Sequence, residues 1–329
     1  MTSRTAFTAP PAIPVVDITG LASPASAAAR DTARHLCHAY ETLGFAYVAG
    51  HGVPSDVIER AFAASAEFHA APLERKQALA INRYHRGYIG MATSTIVTST
   101  VARVTQPNLS ESLMLMHEVA PDDPGYGTAV HGPNQWPDWL PGFRSAITAY
   151  TAALERVARR LLDAFTLGLN LPGDYFAPLF ARPVTFLRLL HYPPHPPSAA
   201  DNQFGAAPHT DYGCFTILAQ HGVEGLAVRD PSGAWIDAPP IPGTFLLNLG
   251  DLMPRWSNDR FRSTPHRVLN RSGRERYSIA YFFDPAMDAV IECLPTCRSA
   301  EIPPRHPPMR YGDYLMARLD KNYAYRRTT

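Results

Sequence analysis

Two histidines and an aspartate are the residues with the clearest capacity for joint chemistry. His209-Thr210-Asp211 stands just ahead of the apolar run 214–218. In extended chain residues i and i+2 project to one side, so this imidazole and carboxylate can face a single ion. His-x-Asp alone is a common pattern. It gains weight from His266, in Ser263-Thr264-Pro265-His266-Arg267-Val268, which lies in the same region of short apolar runs. Two His and one Asp form a facial triad that leaves the opposite face of an octahedral ion open, as an oxygen-activating Fe(II) centre requires. Zn(II), which favours four tetrahedral ligands, could occupy the same residues without turnover. Downstream, Arg276-Tyr277-Ser278 opens another apolar run. Arg276 and Ser278 share a strand face, where guanidinium and hydroxyl could grip one carboxylate. A dicarboxylate held there could reach back to the metal.

Elements able to position these groups are legible around them. Leu36, Tyr40 and Leu43 at helical spacing, with Ser23-Pro24 as cap and first turn and Gly44 as stop, predict a helix over 23–43. A short strand follows at 45–48, then a helix capped by Ser55 and carrying Ile58, Phe62 and Phe68. The longest helical pattern spans 141–171, with Phe143, Ile147, Leu154, Leu161, Leu162 and Phe165 on its apolar face. Beyond Pro183 the runs 184–192, 216–219, 225–228, 244–249, 266–269 and 276–283 alternate with Pro and Gly. Closely spaced short strands of this kind predict an antiparallel sandwich or barrel. A last helix is expected at 310–325, with Tyr314, Leu315 and Leu319 on one side. The chain therefore reads as α+β with a β-rich core. Residues 1–182 form an N-terminal helical and mixed region packed on a core at 183–329, the two making one compact catalytic unit.

Composition narrows the partners. Among 329 residues, 30 Lys+Arg stand against 29 Asp+Glu, so no global field attracts nucleic acid or an anionic membrane. No apolar run approaches the roughly 18 residues of a membrane span. The segment 12–16 is broken by Pro14 and ended by Asp17, unlike a secretory leader, which points to a cytoplasmic protein. Cys37, Cys214, Cys293 and Cys297 are too few and scattered for a disulfide framework and are expected as free thiols. Pro295 breaks the helical spacing of the last two, so they do not read as a zinc site. The 32 prolines fit many short elements joined by stiff turns. No heptad or long apolar stripe specifies an oligomer.

Further landmarks run the length of the chain: Ile13-Pro14-Val15-Val16-Asp17, Gly44-Phe45-Ala46-Tyr47-Val48-Ala49-Gly50-His51-Gly52-Val53, Arg86-Gly87-Tyr88, Gly132-Pro133-Asn134-Gln135-Trp136-Pro137, and Asn248-Leu249-Gly250-Asp251 with Trp256-Ser257-Asn258 before the distal histidine. In order and spacing the chain closely resembles the isopenicillin N synthase-like family of Fe(II)/2-oxoglutarate-dependent dioxygenases. That resemblance implies a distorted jelly roll, the double-stranded β-helix, wrapped by N-terminal helices and closed by a C-terminal helix. It implies that His209, Asp211 and His266 bind Fe(II), that Arg276 and Ser278 hold the distal carboxylate of 2-oxoglutarate, and that Tyr192 adds a hydrogen bond there. Leu190 departs from the pattern, since plant-type members commonly carry Asn at that place.

The activity so implied is oxidation of a small molecule with O2 and 2-oxoglutarate, releasing succinate and CO2. Hydroxylation, desaturation, cyclisation and epoxidation all fit. Halogenation does not, because Asp211 fills the place that chloride would need. Two other readings are a 2-oxoglutarate-independent Fe(II) oxidase of the same family and a non-catalytic metal-binding sensor. Arg103 and Arg188 each read either as a partner for a substrate carboxylate or as an ordinary surface charge. The stretch 93–105 is expected near the pocket. His51 and His191 read as partners of backbone groups, His221 as solvated, and Cys214 as a small buried residue.

Overall fold

The computed structural model describes residues 13–323, apart from 97, 98, 100, 124, 129 and 201, together with residue 326. Outside the described residues lie Ala12 of the segment read against a leader, Val97, Thr98 and Thr100 of the stretch 93–105, and Ala324 and Tyr325 of the final helix.

The chain opens with β1 (Val15–Asp17), α1 (Ala27–Thr42) and β2 (Phe45–Ala49). Helix α1 starts later than expected, because Ser26 and not Ser23 is its cap: the Ser26 hydroxyl accepts the Ala29 N–H at 3.0 Å. Gly44 ends it as anticipated. Its φ of +77° is left-handed, and a Cβ there would meet the Arg262 carbonyl oxygen at 2.6 Å. In α2 (Ser55–Ala70) the cap position falls to Pro54, so Ser55 is the first helical residue and caps nothing. Next come α3 (Leu73–Gln77), β3 (Gly87–Ile89), β4 (Glu111–Met116) and α4 (Phe143–Gly168), whose predicted apolar face is buried throughout.

The remaining elements are β5 (Val184–Tyr192), β6 (Ala206–His209), β7 (Phe215–Gln220), β8 (Leu226–Arg229), β9 (Trp235–Asp237), β10 (Phe245–Leu249), α5 (Leu252–Trp256), β11 (His266–Val268), β12 (Arg276–Asp284), β13 (Val290–Ile291), β14 (Met309–Arg310) and α6 (Tyr311–Asn322). Every run anticipated beyond Pro183 is a strand to within a residue or so at each end.

An eight-stranded sheet in the order β1-β2-β10-β7-β12-β5-β4-β3 lies against a four-stranded sheet ordered β6-β11-β8-β9. Only β1 pairs in parallel with its neighbour in these sheets. This is the expected jelly roll, with both outer ends of the large sheet supplied by the N-terminal region. Alternation divides β5 and β12 between two cores over most of their length. Leu187, Leu189, Ile279, Tyr281 and Phe283 pack in one core with α1, α2 and α4. Leu190, Tyr192 and Ala280 join a second core with Ala206, Leu226, Val228 and Val268 of the small sheet. No helix among the described residues is long and apolar enough to cross a membrane. All four cysteines are free thiols, as expected.

Candidate active site

Strand pairing brings the histidines together. His209 ends β6 and His266 opens β11, directly opposite one another in adjacent antiparallel strands, with ring centroids 4.3 Å apart. Asp211 follows β6 by two residues. Its Oδ1 lies 3.8 Å from His209 Nε2 and 3.7 Å from His266 Nε2. One ligand atom from each residue lies within 4.8 Å of the others, the spacing of donors round a single ion.

The surrounding bonds fix which atoms point inward. Nδ1 of His209 meets the Ala207 carbonyl at 2.7 Å and Nδ1 of His266 meets the Thr264 carbonyl at 3.2 Å. A carbonyl only accepts, so each Nδ1 carries a proton and it is each Nε2 that is turned inward for a metal. Oδ2 of Asp211 accepts from Thr216 Oγ1 at 2.5 Å and Asn248 Nδ2 at 2.7 Å, which leaves Oδ1 facing the two imidazoles. Burial, reinforced by His266, pushes His209 down to about 4, so this ring is neutral as a ligand must be. Burial opposes ionisation of Asp211, yet His266, His209 and the two hydrogen bonds outweigh it and hold the carboxyl below its ordinary value. Backbone turns this tightly only because Gly250 lacks a Cβ, which would sit 2.3 Å from the Gly213 carbonyl oxygen.

Beside the triad a cavity of about 80 Å³ runs between the sheets to Arg276. Arg276 is fully buried, donates from Nη2 to Gln220 Oε1 at 2.8 Å and lies over the Tyr192 ring at 4.8 Å. Its Nε and Nη1 are buried and have no hydrogen-bond partner among the described residues. Register explains the grouping: Arg276 is opposite Tyr192, and Ser278 is opposite both Leu190 and Gln220. A guanidinium cannot shed its charge, and burying one with open donors is costly, so this end of the cavity suits an anion. The donor set at the other end, two imidazoles and a carboxylate, suits Fe(II) with a free face.

An adjoining cavity of about 120 Å³ shares Ile96, Arg188, His209, Asp211 and Phe282 with the first. Ile96 bears out the placement of the stretch 93–105 near the pocket, and Arg188 is brought to the triad. Arg103 is exposed and lines neither cavity.

Other sequence candidates behave as structure. His51 accepts the Val53 N–H at 3.1 Å. His191 pairs with Glu111 at 2.8 Å and Glu275 at 2.5 Å, so its partners are carboxylates and not the backbone. His221 is exposed and stacks on Phe62, and Cys214 is buried against Met253. Arg86 donates to the Val130, Tyr84 and His117 carbonyls, while Asn134 and Gln135 bond the backbone of Met116, Ala80 and Arg86. Those landmarks build the N-terminal region.

Residues 183–285 match the model of the 2OG-Fe(II) oxygenase superfamily, and residues 13–139 match the N-terminal model named for the non-haem dioxygenase in morphine synthesis. The 2-oxoglutarate-Fe(II) type oxidoreductase hxnY of Emericella nidulans is 37% identical over 96% of this chain and 91% of its own length. The chain belongs to the 2OG-Fe(II) oxygenase superfamily. Fe(II), 2-oxoglutarate and O2 are therefore the metal and cosubstrates of this oxygenase, which oxidises a small molecule. A full-length Neurospora crassa protein solved in complex with alpha-KG superposes with a TM-score of 0.82 at 33% identity, covering 93% of this chain and 95% of that one. The same Neurospora protein in complex with alpha-KG and thymine gives 0.82 at 31% identity over 94% and 96%.

Sequence reasoning singled out none of Thr216, Gln220 and Asn248 for a role, although they orient Asp211 and Arg276. Asn248 was visible as a landmark. Thr216 and Gln220 share a face of β7, a signal that becomes readable only once that strand is paired with β12.

Proposed function

We propose that His209, Asp211 and His266 hold the Fe(II) of this oxygenase and that Arg276 and Ser278 hold the distal carboxylate of 2-oxoglutarate, with Tyr192 beside them. The observation that carries this reading is the pair of unpartnered guanidinium nitrogens on fully buried Arg276, at the far end of the cavity that begins at the triad. Bound there, Fe(II) would activate O2, the oxidant, with 2-oxoglutarate giving up two electrons as it becomes succinate and CO2 and the substrate giving up the other two. The chain's own groups hold and orient. Thr216 and Asn248 keep Asp211 ionised and single-ended, the backbone carbonyls of Ala207 and Thr264 keep both Nε2 atoms aimed inward, and Gln220 and the Tyr192 ring keep the guanidinium planar to its target. Between them the Leu190, Leu218, Leu226 and Val268 side chains exclude water.

The adjoining cavity takes the substrate, a small molecule in the size range that such pockets admit. Hydroxylation, desaturation or cyclisation follows from how the substrate radical collapses, which the ligand set does not determine. N-terminal region and jelly roll act as one catalytic unit in this proposal, and unpaired thiols support a cytoplasmic location.

Anaerobic titration of the Fe(II)-loaded protein with 2-oxoglutarate tests the assignment. A visible metal-to-ligand charge-transfer band that saturates at one equivalent is expected in the wild type and absent in His266→Ala. A normal band in that variant would overturn the ligand set.

A further inference from the structure

Arg188 is a cation that the proposed metal and cosubstrate sites do not use. It lies on β5 facing the cavities, and lines both of them at their junction beside His209. Ala280 stands opposite it on β12 and Met114 opposite it on β4, so neither neighbouring strand offers a polar partner at its level. Among the described residues its hydrogen bonding is confined to Nε, which donates to Ser112 Oγ at 3.0 Å. That bond pins the stem, and no described residue pairs with either terminal amino group. The acids nearby are committed elsewhere. Asp211 belongs to the triad, and Asp284 accepts the Cys214 N–H at 2.6 Å and the Tyr311 hydroxyl at 2.7 Å.

Around this cation the larger cavity is mostly apolar, lined by Met114, Phe186, Phe282 and Leu315 together with His85 and Tyr212. Phe186 and Phe282 meet edge to face with centroids 6.2 Å apart, leaving aromatic surface for a flat body to rest on. The enclosed space of about 120 Å³ excludes a polymer and suits a small, flat molecule. A forked, half-buried guanidinium at the edge of such a pocket matches a carboxylate geometrically and electrostatically.

We propose that Arg188 anchors the substrate, and that the substrate class is a small, flat, largely apolar monocarboxylate whose oxidised carbon is turned toward the triad. This rests on the reading above, in which Arg276 takes the cosubstrate and leaves Arg188 for the substrate. Anchoring at one end fixes which carbon approaches the metal, so Arg188 is a specificity-determining residue.

The test is calorimetric titration of the full chain with benzoate and with its neutral isostere benzamide, in wild type, Arg188→Met and Arg188→Lys, with and without Fe(II) and 2-oxoglutarate. Wild type is expected to bind benzoate in preference to benzamide. Arg188→Met should weaken benzoate by about tenfold to a hundredfold, the value of a charge-assisted hydrogen-bond pair. It should leave benzamide unchanged, and Arg188→Lys should recover part of the loss. The charge-transfer band of 2-oxoglutarate should be the same in all three proteins. Equal response to benzoate and benzamide in wild type, including no response to either, overturns the proposal. So does a band weakened in Arg188→Met with benzoate unaffected, which would assign Arg188 to the cosubstrate. Failure of the band in wild type would instead strike the cosubstrate site, while the titrations without metal still decide Arg188.

Discussion

Two clusters of buried charge sit back to back on the same strands, and they are built to opposite rules. On the helix side, Glu111 of β4 faces His191 of β5 and receives Lys76 at 2.8 Å, His191 at 2.8 Å and the Tyr88 hydroxyl; Lys76 also donates to the His69 carbonyl at 2.8 Å. Each charged atom of the Lys76–Glu111 pair is satisfied. On the cavity side, one residue further along β5, Tyr192 lies under an Arg276 that has two nitrogens with no partner. Saturation marks a structural cluster, whose work is to lock α3 and β4 to the sheet. Open donors mark a cluster whose partner arrives from solution.

The contrast can be broken most decisively at the metal. His209→Ala or His266→Ala should abolish Fe(II) binding with the fold retained, because each ring adds a donor and little core volume. Iron content per chain after anaerobic loading reads this out, and an unchanged content in either variant would remove that ligand.

Replacing the cation in each cluster by methionine should then give opposite results. Lys76→Met takes the full cation from a buried Glu111 that keeps only His191 and the Tyr88 hydroxyl, and should lower stability by about 1.5 to 3 kcal/mol in denaturant unfolding, the value of a charge-assisted hydrogen bond. Arg276→Met removes a charge that the unliganded protein does not satisfy, so its Tm without ligand should be unchanged or higher. Its 2-oxoglutarate affinity should nevertheless fall by about a hundredfold or more, on the same energy scale. A large fall in Tm for Arg276→Met would mean that its partners are already present in the folded chain.

The closed cluster also predicts a pH window. Burial resists charge on Glu111, but the bonds from His191, Lys76 and Tyr88 prevail and hold it at about 2. A carboxyl depressed on folding from about 4.3 contributes stability above that value and loses it as pH falls toward the folded value. His191 shifts the other way: burial opposes its charge, yet Glu111 and Glu275 raise it above the ordinary value. Its contribution is complete below about 6.5 and is lost as pH rises through the raised value. Stability from this cluster should therefore plateau between about pH 4.5 and 6.5, with a loss of about 3 kcal/mol at the acid end. In Glu111→Gln the acid limb should flatten, and unfolding curves taken across pH check it.

How much of this could be read in the sequence depended on how local each feature is. Strand β5 declared itself through an uninterrupted apolar run after Pro183, and the triad through His-x-Asp joined to a distant His in a strand of its own. Strand β6 was hidden by Pro208, which is tolerated because β6 is the edge of its sheet. Strand β4 was hidden because Glu111 and Ser112 look like loop residues until their partners, Lys76 and Arg188, are placed. Ser23 and Ser26 are equally good caps by type, and only the path of the chain selects the second. Gln220 had no signal at all, since its bond to Arg276 crosses from β7 to β12. The landmarks at 86–88 and 132–137 were conspicuous, yet their side chains tie loops together and do no chemistry.

Asn248 is the residue at which the two rules meet, and it offers the finest test. Its amide donates to a buried neighbour, as in a structural cluster, but the group it engages is Asp211, which must keep one oxygen free. Asn248→Leu would leave Oδ2 to Thr216 alone and let the carboxylate turn. Losing a hydrogen bond behind a ligand costs about 10- to 100-fold in metal affinity, far less than losing the ligand. The variant should thus still bind Fe(II), more weakly by that factor in competition with a chelator, and its Tm without metal should move little. Thr216→Val should act in the same direction, and the double variant should lose more than the two effects combined, because Oδ2 would then be buried without a donor. If the three proteins bound iron alike, orientation of Asp211 would have to come from the backbone at Gly213 and Gly250, and the open cluster would be held by the chain path and not by its side chains.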